Sequence, residues 1–379
     1  MRSIKVRIYP SNIQKKQLEQ FFGCARWIYN RALALKKSRY EQYKDNLSIY
    51  EISKMITFWK KTEELSWLSI APLQSLTQEL FHLDKAYQAF FKKQTKFPRF
   101  KRKSNKQSIT VMQNVLVKDN KIRFPKLGFI KCKGLRKFEG KIKSATLTKT
   151  PSNQYFISWC VDDIPCEQKP NTIINPIGID LGIKDFMATS DGNKTSNPKY
   201  IKPLENKIKY YQRKLAKCQK DSNIRKKRRL KIARTWNKIN NKEKDFLHKL
   251  SHSIVKNHDC ICVENLNVKD MLQSKHLAKE ISRCSWAEFV RQLEYKSEWY
   301  GTHFIKVNPA YTSQDCNVCG FRKDDLTLQD RTWICTSCDE MHDRDINAAK
   351  NILTKGLDEV LKSSGEIDVS QLCETRISK

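Results

Sequence analysis

The sequence predicts an α+β protein of several domains: a β-barrel module interrupted by a helical lobe, then an α/β domain with an inserted cysteine ribbon. Three observations carry this expectation. Apolar residues alternate with a period of two at the start of the chain and again from about 108 to 161, with a helical period between. After a segment holding Pro165, Pro170 and Pro176, the order becomes strand, strand, helices, strand, helix, strand, ribbon, helix. Near the end, Cys316-x₂-Cys319 and Cys335-x₂-Cys338 are separated by fifteen residues.

Each element has its own signal. Ile4, Val6 and Ile8 alternate with Lys5, Arg7 and Tyr9, which suits a half-buried strand ended by Pro10 and Ser11. From Ile13 to Tyr43, Leu18, Phe21, Phe22, Ala25, Ile28, Tyr29, Ala32 and Leu35 fall on one helical stripe. A second helical stretch spans about 73–93, and Trp27, Trp59 and Trp67 read as packing residues. The runs SITVMQNVLV, KIRFPKLGFIKC, SATLTKT and QYFISWCV, broken by turn residues, predict the strands of a small barrel. The proline-bearing segment DDIPCEQKPNTIINP marks the domain boundary.

Charge narrows the partner. The formal net charge is +33 over 379 residues, and nearly all of it sits in two segments. Residues 92–149 hold 19 basic and 2 acidic side chains, and residues 199–249 hold 19 basic and 4 acidic. Such concentration repels itself unless it meets a polyanion whose counterions are released on binding. Aromatics interleave the runs, among them Phe97, Phe100, Tyr210, Tyr211 and Trp236, so nucleic acid is expected, against the plainer reading of two solvated faces or an acidic lipid surface. No apolar run reaches the ~18 residues of a membrane span. The opening MRSIKVRIYP reads as a strand rather than a cleavable apolar signal, so a reducing compartment is expected, where cysteines such as these thirteen more often hold metal than disulfides. A cytoplasmic, nucleoid-associated protein is expected.

Three acids stand where chemistry needs them. Asp180 ends the apolar run of IGIDLG, Glu264 ends CICVEN, and Asp345 opens the helix INAAKNIL, whose Ala348 and Ala349 allow close packing on a sheet. Carboxylates are hard oxygen donors suited to magnesium or manganese. Two such ions about 3.5–4 Å apart activate a water and stabilise the leaving oxygen in phosphodiester hydrolysis. Singly, each acid is equally a cap or a polar strand exit. Together, in the order Asp, Glu, Asp on a sheet expected to be ribonuclease-H-like, they point to catalysis. Asp343 competes with Asp345 for the third position and is otherwise a cap for the same helix, while Asp185 is expected to point away.

The paired Cys-x₂-Cys turns aim four thiolates, Cys316, Cys319, Cys335 and Cys338, at one tetrahedral centre. A site closed by four protein ligands is structural, with zinc the expected ion and iron an open alternative. His342 reads as a surface residue or a spare ligand, and Cys260 and Cys262 as core on one face of a strand.

Taken with FPRFKRK, GIDLGIKDFMATSDG, VENLNVKDM, SWAEFVRQLEYKSEWYG, YTSQDCNVCG and HDRDINAAKNIL, the chain resembles the TnpB family over nearly its whole length. These are RNA-guided nucleases of insertion sequences, similar to compact type V CRISPR effectors. The resemblance implies a β-barrel wedge domain (1–10 and 97–170), an inserted helical recognition lobe (11–96), and a RuvC-like, RNase H-like nuclease domain (171–379) carrying a zinc ribbon at 311–341. It implies that Asp180, Glu264 and Asp345 hold magnesium and that the four cysteines hold zinc. It also implies a guide RNA from the transposon end, a double-stranded DNA target beside a short flanking motif, and a monomer or weak dimer. RNA guidance comes from the resemblance alone. A transposase performing strand transfer and a non-cleaving DNA-binding regulator are the alternative readings.

Overall fold

The structure is a computed structural model. It describes residues 2–363 except 136, 137, 139, 163–165, 199, 200, 274–277 and 328. The chain divides into two compact units, one of residues 1–164 with 211–234, the other of residues 165–210 with 235–379. The first cut falls inside the proline-bearing segment.

The first unit opens with β1 (Arg2–Tyr9), followed by α1 (Asn12–Tyr43), α2 (Ile49–Trp59), a 3₁₀ turn (Glu63–Ile70) and α3 (Leu73–Phe91). Ser11 caps α1: its hydroxyl accepts from the Gln14 N–H at 3.2 Å, and Gln14 Oε1 accepts from the Ser11 N–H at 3.0 Å. The stripe from Leu18 to Leu33 is buried, and the helix ends at Lys44 in the left-handed conformation. Trp27 packs edge-on against Trp59 and Trp67 with centroids 5.5 and 5.7 Å away, the packing role expected. The helix α2 is an addition to the sequence expectation.

Six further strands follow: β2 (Gln107–Val111), β3 (Leu116–Lys118), β4 (Lys121–Phe124), β5 (Gly128–Lys133), β6 (Lys141–Lys149) and β7 (Tyr155–Asp162). They join β1 in an antiparallel sheet of order β2-β6-β7-β1-β5-β4-β3. The predicted strand content is present, but the predicted closure is not: among the described residues β2 and β3 remain edges. The helices supply the reason. Buried residues of α1, α2 and α3 form one core with Val6, Ile8, Ile109, Ile122, Ile157 and Trp159 of the sheet, so the apolar face is removed from water without curling the sheet shut.

The second unit carries β8 (Pro176–Asp180), β9 (Asp185–Thr189), β10 (Lys194–Ser196), α4 (Ile201–Ala216), α5 (Asn223–Asn257) and β11 (Cys260–Glu264). Then come α6 (Val268–Met271), α7 (Ala278–Cys284), α8 (Trp286–Tyr300), β12 (His303–Val307), β13 (Thr332–Ile334), β14 (Met341–Asp343) and α9 (Arg344–Ser363). The far end of α4 and the first part of α5, residues 211–234, group with the first unit. Arg225 staples this helical hairpin by donating to the Leu215 and Cys218 carbonyls at 3.2 and 3.1 Å.

The second sheet has the order β10-β9-β8-β11-β12. β9 is antiparallel to β8 and β10, whereas β8, β11 and β12 run parallel. Parallel strands are covered on both faces. Ile177, Ile179, Ile261 and Val263 meet α5 and α8 on one side, and Cys260 and Cys262 meet α9 on the other. α9 continues through Gly356, the start of a segment whose sequence carries no motif, and residues 364–379 lie outside the described residues. No helix among the described residues is long and apolar enough to cross a membrane.

Candidate functional site

Strand alternation decides where the acids point. Ile179 pairs with Val263, and both face the α5/α8 side. One residue on, Asp180 and Glu264 therefore leave adjacent parallel strands at the same level on the opposite face, the face that α9 covers. Gly178 lies on that face too: a Cβ there would stand 2.1 Å from the Ala349 carbonyl oxygen, so the missing side chain is what lets α9 approach. Ala348 and Ala349 are fully buried in the contact, as their small size predicts. Asp345 lies in the first turn of that same helix.

The electrostatics bear out this proximity. Burial, reinforced by the charges of Glu264 and Asp345 and only partly offset by Arg344, raises the Asp180 carboxyl from 3.8 to about 8. Burial also raises Glu264, opposed by a hydrogen bond of 2.6 Å that the Thr312 hydroxyl donates to its Oε1. Asp345 is paired instead with cations, Lys194 at 3.3 Å and Arg331 at 3.7 Å. Lys194 also lies 2.7 Å from Asp343. Burial works to raise Asp343, but Lys194 and the backbone N–H groups of Ile346 and Asp345 outweigh it and hold this carboxyl below its usual value. Its Oδ1 accepts from those two N–H groups at 3.2 and 3.1 Å, which caps α9. Asp185 is engaged elsewhere, accepting from Ser196 at 3.2 Å.

Three hard oxygen donors, the buried and charge-crowded Asp180 with Glu264 and Asp345, form a donor set suited to magnesium or manganese. Their oxygens do not yet converge on a point. Among the described residues, the only group of three or more Asp, Glu, His or Cys donors within 4.8 Å of one another is the four cysteines. A cavity of about 370 Å³ opens beside Glu264, lined by Leu181, Asn265, Asn267, Trp286 and Arg291 among others.

The ribbon is built as two turns. The Cys316 N–H donates to Phe321 and Gly320 donates back to Cys316, while Cys335 donates to Glu340 and Asp339 back to Cys335. Cys316 and Cys338 Sγ lie 3.7 Å apart and Cys319 and Cys335 Sγ 3.5 Å, near the ~3.8 Å edge of a tetrahedron with metal–sulfur bonds of about 2.3 Å. The backbone N–H of Phe321 pulls the Cys319 thiol down to about 6, whereas burial raises Cys316 and, against the Glu340 N–H, the neighbouring sulfurs raise Cys338, so a metal would have to displace protons from this cluster. One tetrahedral ion fits these sulfurs. His342 departs from the surface reading: it is buried, its Nε2 lies 3.0 Å from Cys316 Sγ, and its ring packs 4.6 Å from Trp333. Cys260 and Cys262 are fully buried core.

The basic segments are partly spent on structure. Lys101 pairs with the buried Glu79, Lys149 with Glu19 and Lys143 with Asp162. In the second segment Lys231 lies over the Tyr211 ring at 6.0 Å, while Tyr210 and Trp236 are exposed. Thr312, Lys194 and Arg331 touch the acids; no sequence motif marks Lys194 or Arg331, and the run YTSQDCNVCG that contains Thr312 does not by itself mark it as the partner of an acid. Thr312 alone has a usable signal, a position four residues before the first ribbon cysteine.

Known families and relatives match along the chain. The IS605-type OrfB family, described as "Probable transposase", matches residues 158–275. The family described as "Cas12f1-like, TNB domain" matches 286–352 and a "Helix-turn-helix domain" matches 1–45, which here fold as β1 and the single helix α1. A Streptomyces pristinaespiralis protein named "Putative RNA-guided DNA endonuclease" is 33% identical, covering 94% of this chain and 89% of its own. InsQ of Escherichia coli K12, named likewise, is 30% identical over 94% of this chain and 92% of its own. Among solved structures, CasPhi-2 (Cas12j) bound to crRNA covers 94% of this chain and 98% of its own at 9% identity, with a TM-score of 0.47, below what establishes a shared fold. With relatives at this identity over almost the full length of both chains, and with the OrfB match across β8 and β11, the chain belongs to the TnpB family of IS605-type OrfB proteins.

Proposed function

We propose that this protein is an RNA-guided, metal-dependent DNA endonuclease of a transposable element, the activity for which its full-length relatives are named. One observation carries the chemistry: Asp180 and Glu264 end adjacent strands on the sheet face that α9 covers, Asp345 lies in the first turn of that helix, and burial with repulsion from the other two acids raises Asp180 to about 8. A carboxylate held so unfavourably is one that a divalent cation relieves. Asp180, Glu264 and Asp345 would hold magnesium or manganese, and ions so held supply an activated water and neutralise the leaving oxygen. The protein's own part is to keep three acids on rigid elements and to admit a phosphodiester through the cleft beside Glu264. Lys194 and Arg331 add positive charge next to Asp345, where a scissile phosphate brings negative charge.

In this reading the second unit's sheet is the RuvC-like nuclease domain, supported by a strand order with one antiparallel and one parallel half and by acids at the strand ends. The seven-stranded sheet is the wedge domain and α1 to α3 the recognition lobe. The basic segments would contact a guide RNA from the transposon end and the target duplex, with base pairing reading sequence and the protein reading backbone shape and a short flanking motif. The four cysteines would hold zinc, giving one tightly bound zinc per chain by metal analysis and none in Cys316→Ser.

The test is cleavage by the protein recovered with RNA expressed from the flanks of its gene. Guide-dependent cutting of matched duplex in magnesium, lost in Asp180→Ala and Glu264→Gln, is the expected result. Strand-transfer products in place of cuts would overturn the reading in favour of a transposase. Binding without cutting, unchanged by either substitution, would overturn it in favour of a regulator.

A further inference from the structure

The loop between β12 and the first ribbon cysteine is held by one face of α9. Asn347, Asn351 and Lys355, spaced four residues apart, share a helical stripe, and all three reach this loop. Asn351 Nδ2 donates to the Thr312 carbonyl at 2.9 Å and to the Asp315 carbonyl at 2.6 Å. Asn347 donates to the Asp315 carbonyl at 2.8 Å and accepts from the Asn317 N–H at 3.0 Å, while Lys355 Nζ donates to the Ala310 carbonyl at 2.6 Å. Asn347 and Asn351 are both buried, so these bonds are made away from competing water.

What the clamp delivers is a hydroxyl. Thr312 is 2% exposed, and its Oγ1 donates to Glu264 Oε1 at 2.6 Å. Among the described residues no donor meets Glu264 Oε2. A glutamate has three side-chain torsions to fix before it can serve as a ligand, and ordering them costs entropy. With Oε1 fixed, Oε2 is the oxygen left for an ion. The helix that holds Thr312 carries Asp345 in its first turn, so Glu264 on β11 and Asp345 on α9 share one frame of reference.

We infer that Thr312 is a positioning residue for Glu264, clamped by Asn351 so that Glu264 and Asp345 stay in register for a divalent cation. The inference rests on the reading of Asp180, Glu264 and Asp345 as metal ligands. The plainer role for the hydroxyl is closure of its own turn, since the Pro309 carbonyl also lies 3.1 Å away. One hydroxyl proton serves one acceptor at a time, and an ionised carboxylate is the stronger.

The test measures Mn²⁺ binding to the full-length, zinc-loaded chain by electron paramagnetic resonance, with thermal unfolding and zinc content recorded on the same samples. Partners of metal ligands typically contribute 10–100-fold to affinity, so Thr312→Val should weaken Mn²⁺ by about 10-fold or more, while Thr312→Ser stays within about 3-fold of wild type. Unfolding temperature and zinc content should be unchanged, which a turn-closing role would not allow. Asp180→Ala separates the two readings. Loss of Mn²⁺ in Asp180→Ala with wild-type binding in Thr312→Val overturns the positioning role alone. Wild-type binding in Asp180→Ala as well overturns the carboxylate centre and the positioning role with it.

Discussion

Asp180 and Glu264 leave two adjacent parallel strands one residue beyond the Ile179–Val263 pair and face the same helix. The cost of that placement is readable in pH. Asp180 titrates at about 8 in the folded protein against 3.8 for an unperturbed aspartic acid, so the folded state keeps a proton that the unfolded chain has lost. Stability from this source is complete below pH 3.8 and disappears as the pH rises through about 8. Metal-free wild type should therefore lose stability relative to Asp180→Asn as pH climbs, by about 1–3 kcal/mol near pH ~9. Magnesium should restore wild type and leave the variant unmoved. Thermal melts across pH, with chelator and with magnesium, check this, and parallel pH profiles for the two proteins would sink it.

The two acids at the start of α9 have different surroundings and should behave differently. Asp343, the last residue of β14, is bonded to two backbone N–H groups in the first turn of α9 and to Lys194, whereas Asp345 is among the charges that raise Asp180. Asp345→Asn should reduce cleavage by about 10²–10³-fold with little effect on folding. Asp343→Ala should cost about 1 kcal/mol of stability through the lost cap and reduce cleavage less than about 10-fold. Single-turnover rates and denaturant melts on both variants decide it, and a reversed order of the two rates would assign Asp343 as the ligand.

Asp180 and Glu264 are legible in the sequence because each ends an apolar run that only a buried strand explains, and because polarity at the end of such a run has to meet water or an ion. The cysteines are legible because ligand spacing is local. Thr312 is not, because its bond to Glu264 spans 48 residues and depends on where α9 holds the loop. Lys194 is one of 73 basic residues, and nothing local distinguishes the one that reaches Asp345. The helix α2 escapes the reading of apolar periodicity, although Ser48 and Glu51 form a capping box whose two bonds are both present. A closed barrel does not follow from the strand pattern for a different reason: alternation reports that one face of a strand is buried, and α1 and α3 bury it as well as closure would. The polar neighbours of His342 suggest the surface, whereas the β13–β14 pairing sets it opposite Trp333 and turns it inward.

Lys101 belongs to the first of the two basic segments yet is committed to folding. Its ammonium pairs with Glu79, which is 1% exposed, and lies 4.1 Å from the Tyr29 ring centroid, while Asn30 bonds its backbone at 2.7 and 3.0 Å. Lys101→Met leaves the buried carboxylate with only His82, whose Nδ1 lies 3.4 Å from its Oε1. The cost should be about 2–3 kcal/mol, below the ~3–5 of a fully buried pair because the lysine side chain is half-exposed. The salt dependence of RNA binding should keep its slope, since no phosphate contact is lost. A slope reduced by about one unit with unchanged stability would place Lys101 on the nucleic acid.

Gly178 tests whether the spacing between sheet and helix governs the site. A Cβ at this position would stand 2.1 Å from the Ala349 carbonyl oxygen and 2.8 Å from the Leu353 Cβ and backbone nitrogen, and backbone cannot rotate out of the way as a side-chain tip can. Gly178→Ala must push α9 outward, carrying Asp345 away from Asp180 on β8. Overpacking of this kind costs about 1–3 kcal/mol, and a misplacement of about 1 Å in a reacting constellation costs about 10²-fold in rate. The control is Gly23 in α1, where a Cβ meets nothing within 4 Å and the helix should gain about 0.5–1 kcal/mol from alanine. Gly178→Ala should thus lose cleavage at temperatures where it remains folded, while Gly23→Ala melts higher and cuts normally. Full cleavage by folded Gly178→Ala would mean that the three carboxylates tolerate a displaced helix, and that the close approach of α9 serves packing alone.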